Sequence, residues 1–161
     1  MPFTPAQLAT IATNIAASPD LAAQPSTADG NFEIARLYNL DATPTFWVYK
    51  SLVQIKDIGE AFNGAELAGL TTGNVTRLTC IGIFSTLGVN PSRTDVRAFF
   101  ADVFSGAGGV LTRANLDILW RRPARRIERL FATGTGSTAS PGTLVYEGVI
   151  SGAEVEDART A

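Results

Sequence analysis

The first apolar pattern in the chain predicts an amphipathic helix over residues 5–17. Apolar side chains recur there at spacings of three and four, as Leu8, Ile11 and Ile15. Thr4 and Pro5 fit its start, because threonine caps helix N-termini and proline is favoured at the first helical position. Ser18-Pro19 then ends the predicted helix.

Later segments carry the same helical spacing, so we predict about six helices. The further segments are residues 29–39, 53–62, 75–87, 91–106 and 112–131. Asn90-Pro91 and Thr112 provide start signals, and Gly88 stands where glycine favours a helix end. Pro123 is expected to kink the last segment or restart it.

The run Phe46-Trp47-Val48-Tyr49 is too short for its pattern to decide between helix and strand. We predict a buried connector or the first turn of a helix, with a strand as the second choice. A consecutive aromatic run cannot face one side of a helix entirely. Phe46, Trp47 and Tyr49 are therefore candidates for an exposed apolar contact.

The C-terminal quarter changes in character. Residues 134–142 are rich in Gly, Ser and Thr, which is typical of a linker, and residues 143–150 have the composition of a strand. A lone strand leaves its backbone groups unpaired, so we expect a partner from residues 46–49 or from another subunit. Residues 152–161 are expected to form a short helix or a tail.

These segments predict the domain organisation and the fold class. The domains are a helical body over residues 1–133, a linker over residues 134–142, and an assembly arm over residues 143–161. The fold is mainly α, a bundle of about six helices with a C-terminal extended arm that contains one strand or hairpin. The candidate assembly residues of the arm are Leu144, Val145, Tyr146, Val149 and Ile150.

Composition excludes common kinds of chemistry. The 161-residue chain has no His, one Cys and a formal net charge of −2. It therefore lacks the commonest general base and metal ligand, and its carboxylates are scattered with no spacing that nominates an acid–base pair. We predict no catalytic, cofactor-binding or metal-binding residues, no cofactor and no enzymatic activity. Cys80, in an apolar stretch, is expected to be a small buried hydrophobe.

The N-terminal residues show no targeting segment. Met1-Pro2-Phe3-Thr4 lacks the basic region and the apolar region of a secretory signal. No apolar run approaches the roughly 18 residues that span a bilayer. We therefore expect synthesis in the cytoplasm and no membrane partner.

The densest charged feature is a set of six arginines within 17 residues. They are Arg113, Arg121, Arg122, Arg125, Arg126 and Arg129. With Asp117 and Glu128 this segment carries +4, against −6 for the rest of the chain. It is a candidate interface with an acidic partner or a phosphate-facing surface. The alternative is a solvated helix face with the pairs Asp117–Arg121 and Arg125–Glu128.

Several stretches resemble small proteins from the structural gene clusters of tailed double-stranded DNA bacteriophages. They are DGNF from residue 29, TFWVYK from residue 45, VRAFF from residue 96, RLFATG from residue 129 and YEG from residue 146. Such proteins are mostly virion components. A mainly helical subunit with a C-terminal arm is most similar to a head-completion protein or head-to-tail adaptor, which forms a ring beneath the portal.

The resemblance implies partners and a location. It implies a homo-oligomeric ring in the virion that contacts the portal and the tail or capsid proteins, with non-specific contact to packaged DNA, after synthesis in the host cytoplasm. A capsid cement or decoration subunit and a tail terminator are alternatives within the virion. A small helical enzyme or ligand-binding module is the alternative from another class. The stretches contain no catalytic or ligand signature, so no functional residue is carried over.

Overall fold

The computed structural model describes residues 3–84 and 88–161 and is mostly helical, as the sequence predicts. Its helices are α1 (Pro5–Ala17), α2 (Pro19–Ala22), α3 (Ala28–Tyr38), α4 (Ile55–Ala61), α5 (Gly64–Ala68), α6 (Thr72–Phe84), α7 (Thr94–Val103), α8 (Val110–Leu119), α9 (Arg126–Phe131) and α10 (Gly152–Thr160). Its strands are β1 (Trp47–Tyr49), β2 (Arg121–Pro123), β3 (Ala132–Thr133) and β4 (Thr143–Leu144). Strand β1 pairs with β2, and β3 pairs with β4.

The chain divides into two compact units, each of which draws on distant parts of the sequence. Unit 1 comprises Met1–Phe46, Pro123–Gly136 and Leu144–Ala161. Unit 2 comprises Trp47–Arg122 and Ser137–Thr143. The predicted boundaries at residues 133 and 142 stay a prediction, because contacts within each unit do not test independent folding.

Helix α1 begins and ends where the sequence predicts. The Thr4 hydroxyl oxygen accepts the Gln7 backbone N–H at 3.3 Å, and the Gln7 side-chain oxygen accepts the Thr4 N–H at 2.9 Å. This reciprocal cap satisfies two donors that the first helical turn leaves without partners. The helix then turns Ile11 and Ile15 into the core of unit 1.

The core of unit 1 forms where α10 packs against α1 and α3. Ile34 of α3 and Val155 and Ala158 of α10 are buried together with Ile150, which precedes α10. The Asn39 side chain fixes Ile150 on both sides, accepting its N–H at 3.0 Å and donating to its carbonyl at 2.9 Å. The last residues of the chain are therefore part of this core.

Unit 2 has a separate apolar core between α4, α7 and α8. Its buried residues include Ile58, Phe100, Phe104, Leu116 and Trp120. The Phe100 ring lies 5.5 Å from the Trp120 ring, a distance at which aromatic pairs attract each other.

Residues 47–49 form a strand, so the first choice of a connector or helical turn was wrong. The reason is long-range pairing on both edges. The Lys50 N–H donates to the Trp120 carbonyl at 2.8 Å. The Tyr49 N–H donates to the Gly142 carbonyl at 3.0 Å, and the Gly142 N–H to the Trp47 carbonyl at 2.8 Å. The sequence predicts that residues 143–150 pair with residues 46–49. Residues 47–49 do pair with the C-terminal segment, but through Gly142, which lies just before β4.

Two predicted helix starts were wrong because their polar side chains serve other contacts. The Asn90 side chain accepts the Ser92 N–H at 2.9 Å in a turn, and α7 begins only at Thr94. Thr112 is buried within α8 and accepts the Asn63 N–H at 3.0 Å. Helix α8 instead begins at Val110, where the Glu66 carboxylate accepts the N–H groups of Leu111 and Thr112 at 2.9 and 2.7 Å.

Other expectations need correction as well. The predicted segment 112–131 is not one helix: α8 ends at Leu119, Pro123 lies in β2, and the helix restarts as α9 at Arg126, which is the second of the two expectations for Pro123. Cys80 is exposed, and it is its neighbours Leu78 and Ile81 that pack against the unit 2 core. Leu87, the last residue of the predicted segment 75–87, lies outside the described residues.

The structure does not confirm the bundle of about six helices or the extended arm. The described residues form ten α-helices, several of them shorter than two turns. The strand predicted over residues 143–150 is limited to β4, and residues 152–160 form α10. A strand-like composition does not make a strand here, because the backbone of Ile150 is bound by the Asn39 side chain instead of a ladder.

We predict that Ile150→Ala destabilises unit 1 by about 2–4 kcal/mol, because it leaves a cavity in a closed core. Denaturant unfolding followed by circular dichroism measures this change. The neighbouring Val149→Ala is the matched control and is expected to cost less than about 0.5 kcal/mol, since Val149 is exposed. Equal stabilities of the two variants would show that Ile150 is not part of the core.

Candidate functional site

The six arginines do not share one helix face. Arg113 lies on α8, Arg121 and Arg122 lie on β2, and the other three lie at the start of α9 or within it. The two compact units divide between α8 and α9. Arg113, Arg121 and Arg122 therefore lie in unit 2, and Arg125, Arg126 and Arg129 lie in unit 1.

Two arginines of the set that lie in unit 2, Arg113 and Arg121, contact backbone carbonyls, and Arg121 also contacts an aromatic ring. Arg113 donates to the Phe104 carbonyl, and to the Gly106 carbonyl at 3.0 Å, beyond the end of α7. Arg121 donates to the Thr138 carbonyl, and its guanidinium carbon lies 5.5 Å from the Trp47 ring centre. Cations near the last carbonyls of a helix are stabilised by its dipole, so Arg113 helps to terminate α7.

In unit 1, Arg125 and Glu128 form the predicted i,i+3 pair, with 3.4 Å between Nη1 and Oε1. Glu128 is fully buried, which the spacing did not reveal. Its carboxylate also accepts the backbone N–H of Arg125 at 2.9 Å and of Gly148 at 3.2 Å. These donors compensate a buried negative charge that would otherwise be very costly.

Arg126 binds Asp20 through both oxygens of its carboxylate. The Arg126 hydrogen bond and charge hold the pKa of Asp20 below its usual value and outweigh the opposing effect of desolvation. Beside this pair, the Tyr38 hydroxyl donates to the Asn14 side chain at 2.9 Å. Burial raises the pKa of Tyr38, and the nearby Arg126 charge offsets only part of that effect.

The Asp20–Arg126 pair lines a cleft of about 670 Å³ in unit 1. Asp41 and Arg129 also line it, so the walls carry both signs of charge. Arg129 is exposed and donates to the Thr43 and Pro44 carbonyls at 3.2 and 3.4 Å. The described hydrogen bonds of Arg129 go to carbonyl groups and leave its positive charge uncompensated. The charge of Arg126, in contrast, is neutralised by the Asp20 carboxylate.

The three aromatic residues expected to be exposed are half-buried, because arginines cover them. Arg129 lies 5.8 Å from the Phe46 ring, Arg121 lies over Trp47, and Arg97 lies 3.8 Å from the Tyr49 ring. Phe46 also touches the backbone of Gly136, where a Cβ atom would collide with its ring. Their contribution to an interface remains a prediction, with less apolar surface than the sequence suggested.

The five candidate assembly residues divide into anchoring and exposed positions. Ile150 is buried, and Leu144 and Tyr146 are half-buried. The Tyr146 ring lies 4.5 Å from that of Phe3, and its hydroxyl donates to the Val149 carbonyl at 2.6 Å. Val145 and Val149 are exposed and remain available to another chain.

Two exposed apolar surfaces were missed by the sequence reading. One is a stripe on α8 formed by Val110, Leu111 and Ile118, which we call the α8 stripe. The other is a groove of about 460 Å³ in unit 1, which we call the unit 1 groove and which Phe32, Leu40 and Ile150 help to line. Leu111 and Ile118 are seven residues apart, so the α8 stripe was visible in the sequence as a second apolar face opposite Leu116.

The described residues contain no cluster of three or more Cys, Asp or Glu side chains suited to hold a metal ion. Among them, no helix combines the length and apolar character that a membrane span requires.

Comparisons with family models, with curated proteins and with solved structures found no match to this chain.

We predict that Glu128→Ala costs about 2–4 kcal/mol of unfolding free energy, because it leaves two partly buried N–H donors and a partly buried guanidinium without their acceptor. Glu128→Gln is expected to cost less, since one side-chain oxygen remains. The exposed Glu156→Gln is the control and is expected to leave stability unchanged. Denaturant unfolding of the three variants checks this order, and a Glu128→Ala variant as stable as the control would contradict it.

Proposed function

We propose that this protein is a structural virion subunit of a tailed bacteriophage, and specifically a head-to-tail connector subunit that forms a ring below the portal. The proposal combines the sequence resemblance with a surface built for contact. It assigns the protein no enzymatic activity, cofactor or membrane partner. It locates the protein in the virion after synthesis in the host cytoplasm, with portal and tail or capsid proteins as neighbours.

The observation that carries the proposal is the large number of exposed apolar side chains. Large hydrophobic residues are exposed in both units, among them Phe32 and Leu40 in unit 1 and Val110, Leu111 and Ile118 in unit 2. Contiguous exposed apolar surface typically marks a site of interaction between proteins. A subunit that is enclosed by neighbours in a particle buries such surface on assembly.

The C-terminal residues have two roles in this proposal. Ile150 and α10 complete the core of unit 1, and the exposed Val145 and Val149 contact a neighbouring subunit. In place of the predicted extended arm, the proposed contact is made by two exposed residues on a segment that is anchored in the core.

Contact with packaged DNA is a secondary part of the proposal. Arg125 and Arg126 are paired with carboxylates, so their charges are largely compensated within the chain. The described hydrogen bonds of Arg113, Arg121 and Arg129 go to carbonyl oxygens, which bear only partial charges. Of these three, Arg129 is the most exposed and is our candidate for a non-specific phosphate contact.

Labelling of purified phage particles tests the proposed position. A small epitope tag after Ala161 avoids the core residues of α10, and antibody-bound particles are then imaged by electron microscopy. We expect label at the vertex where head and tail join. Label over the capsid surface would instead support a cement or decoration subunit, and label along the tail or at its end a terminator. Absence of the protein from infectious particles would contradict a virion function altogether.

A further inference from the structure

The α8 stripe is a convex apolar surface on a helix that is well anchored on its other side. Val110, Leu111 and Ile118 are between 50% and 64% exposed, whereas Thr112 and Leu116 of the same helix are buried. The start of α8 is also held by the Glu66 carboxylate. The stripe is therefore presented by a rigid element and not by a loop.

The unit 1 groove is a concave apolar surface of about 460 Å³. Phe32 and Leu40 on its walls are 69% and 48% exposed, and Ile150 lies beneath them. Ile150 is held by both hydrogen bonds to Asn39, so the base of the groove is fixed as well. A helix laying its apolar side chains into such a groove is a recurrent mode of protein recognition.

The charges of the two units indicate which surfaces meet. Unit 1 has nine acidic and five basic side chains, a net charge of −4, and unit 2 has six acidic and eight basic ones, a net charge of +2. The Arg36 guanidinium beside the groove is bound by Glu33 at 2.6 Å, so the attraction comes from the units as a whole and not from this side chain. Attraction between unlike units favours a contact between unit 1 of one copy and unit 2 of another.

We propose that the α8 stripe of one copy docks into the unit 1 groove of a second copy of this chain. This inference rests on the proposed function, because it supplies the contact between neighbouring subunits of the ring. The two surfaces are different patches of the same chain, so the contact is heterologous. Repetition of a heterologous contact generates a ring when the rotation between copies closes.

A symmetric contact between two α8 stripes is disfavoured by the same observations. It would bring two units of net charge +2 together and place two convex helix faces against each other. A ten-residue helix is only about 15 Å long. The proposed contact is therefore smaller than the roughly 1,600 Å² of a standard interface, and isolated copies associate weakly.

Cross-linking of single-cysteine variants tests the contact. Cys80 is first replaced by Ser, and then Ala114→Cys, within the α8 stripe, and Val149→Cys, next to the groove residue Ile150, are made in separate proteins. We expect a short bis-maleimide to link the two variants when they are mixed, and to link neither variant to itself. Val75→Cys mixed with Ala9→Cys is the control pair, because both positions are exposed but outside the two surfaces. Self-linking of Ala114→Cys alone, or linking of the mixture no better than the control pair, would overturn the proposal.

A disruption experiment separates this inference from the proposed function. Ile118→Asp is expected to abolish the cross-link and to reduce incorporation into phage particles at least tenfold, while Val75→Asp leaves both unchanged. If Ile118→Asp is incorporated as well as the natural protein, the docking proposal fails although the virion function stands. If the natural protein is absent from particles, the proposed virion function fails. The cross-linking result still tests, independently of that function, whether two copies associate through these surfaces.

Discussion

The buried carboxylate of Glu128 is the constraint on which unit 1 depends. A charge in an apolar interior must be met by donors, and Glu128 receives them from the N–H groups of Arg125 and Gly148 and from the Arg125 guanidinium. One side of this arrangement fixes the start of α9. The other side holds Gly148, whose φ of +151° favours glycine, and so leads the chain to Ile150 and its two hydrogen bonds with Asn39. Helix α10 then packs against α1 and α3.

Use of the C-terminal residues in this core determines which surfaces are left for other molecules. Because Ile150 and Val155 are buried within the chain, the apolar surface that this part of unit 1 exposes includes Val145, Val149 and the walls of the unit 1 groove. In unit 2 the Glu66 carboxylate plays a comparable part, since it holds the start of α8 while the outer face of that helix stays exposed. Both units thus combine internal polar anchoring with exposed apolar surface, which suits a protein that works by contact.

Features encoded by neighbouring residues were predictable from the sequence, and features that need distant partners were not. The bounds of α1 follow from Thr4, Pro5 and Gln7, and the Arg125–Glu128 pair follows from its spacing. The strand at residues 47–49 needs Gly142 and β2, and the burial of Glu128 needs Gly148, so no local pattern indicates them. The division of the six arginines between two units was not predictable for the same reason, because it depends on the long-range pairing of the strand β2 that contains Pro123.

Amide hydrogen exchange at Gly148 tests the central claim most directly, namely that Glu128 holds the C-terminal segment in the core of unit 1. We predict that the Gly148 and Ile150 amides exchange as slowly as those of buried residues in α3, and that Glu128→Ala speeds the exchange of both. The amide of Val145, a residue that is 71% exposed, is the internal reference for fast exchange. Exchange of Gly148 in the natural protein at the rate of Val145 would contradict the account.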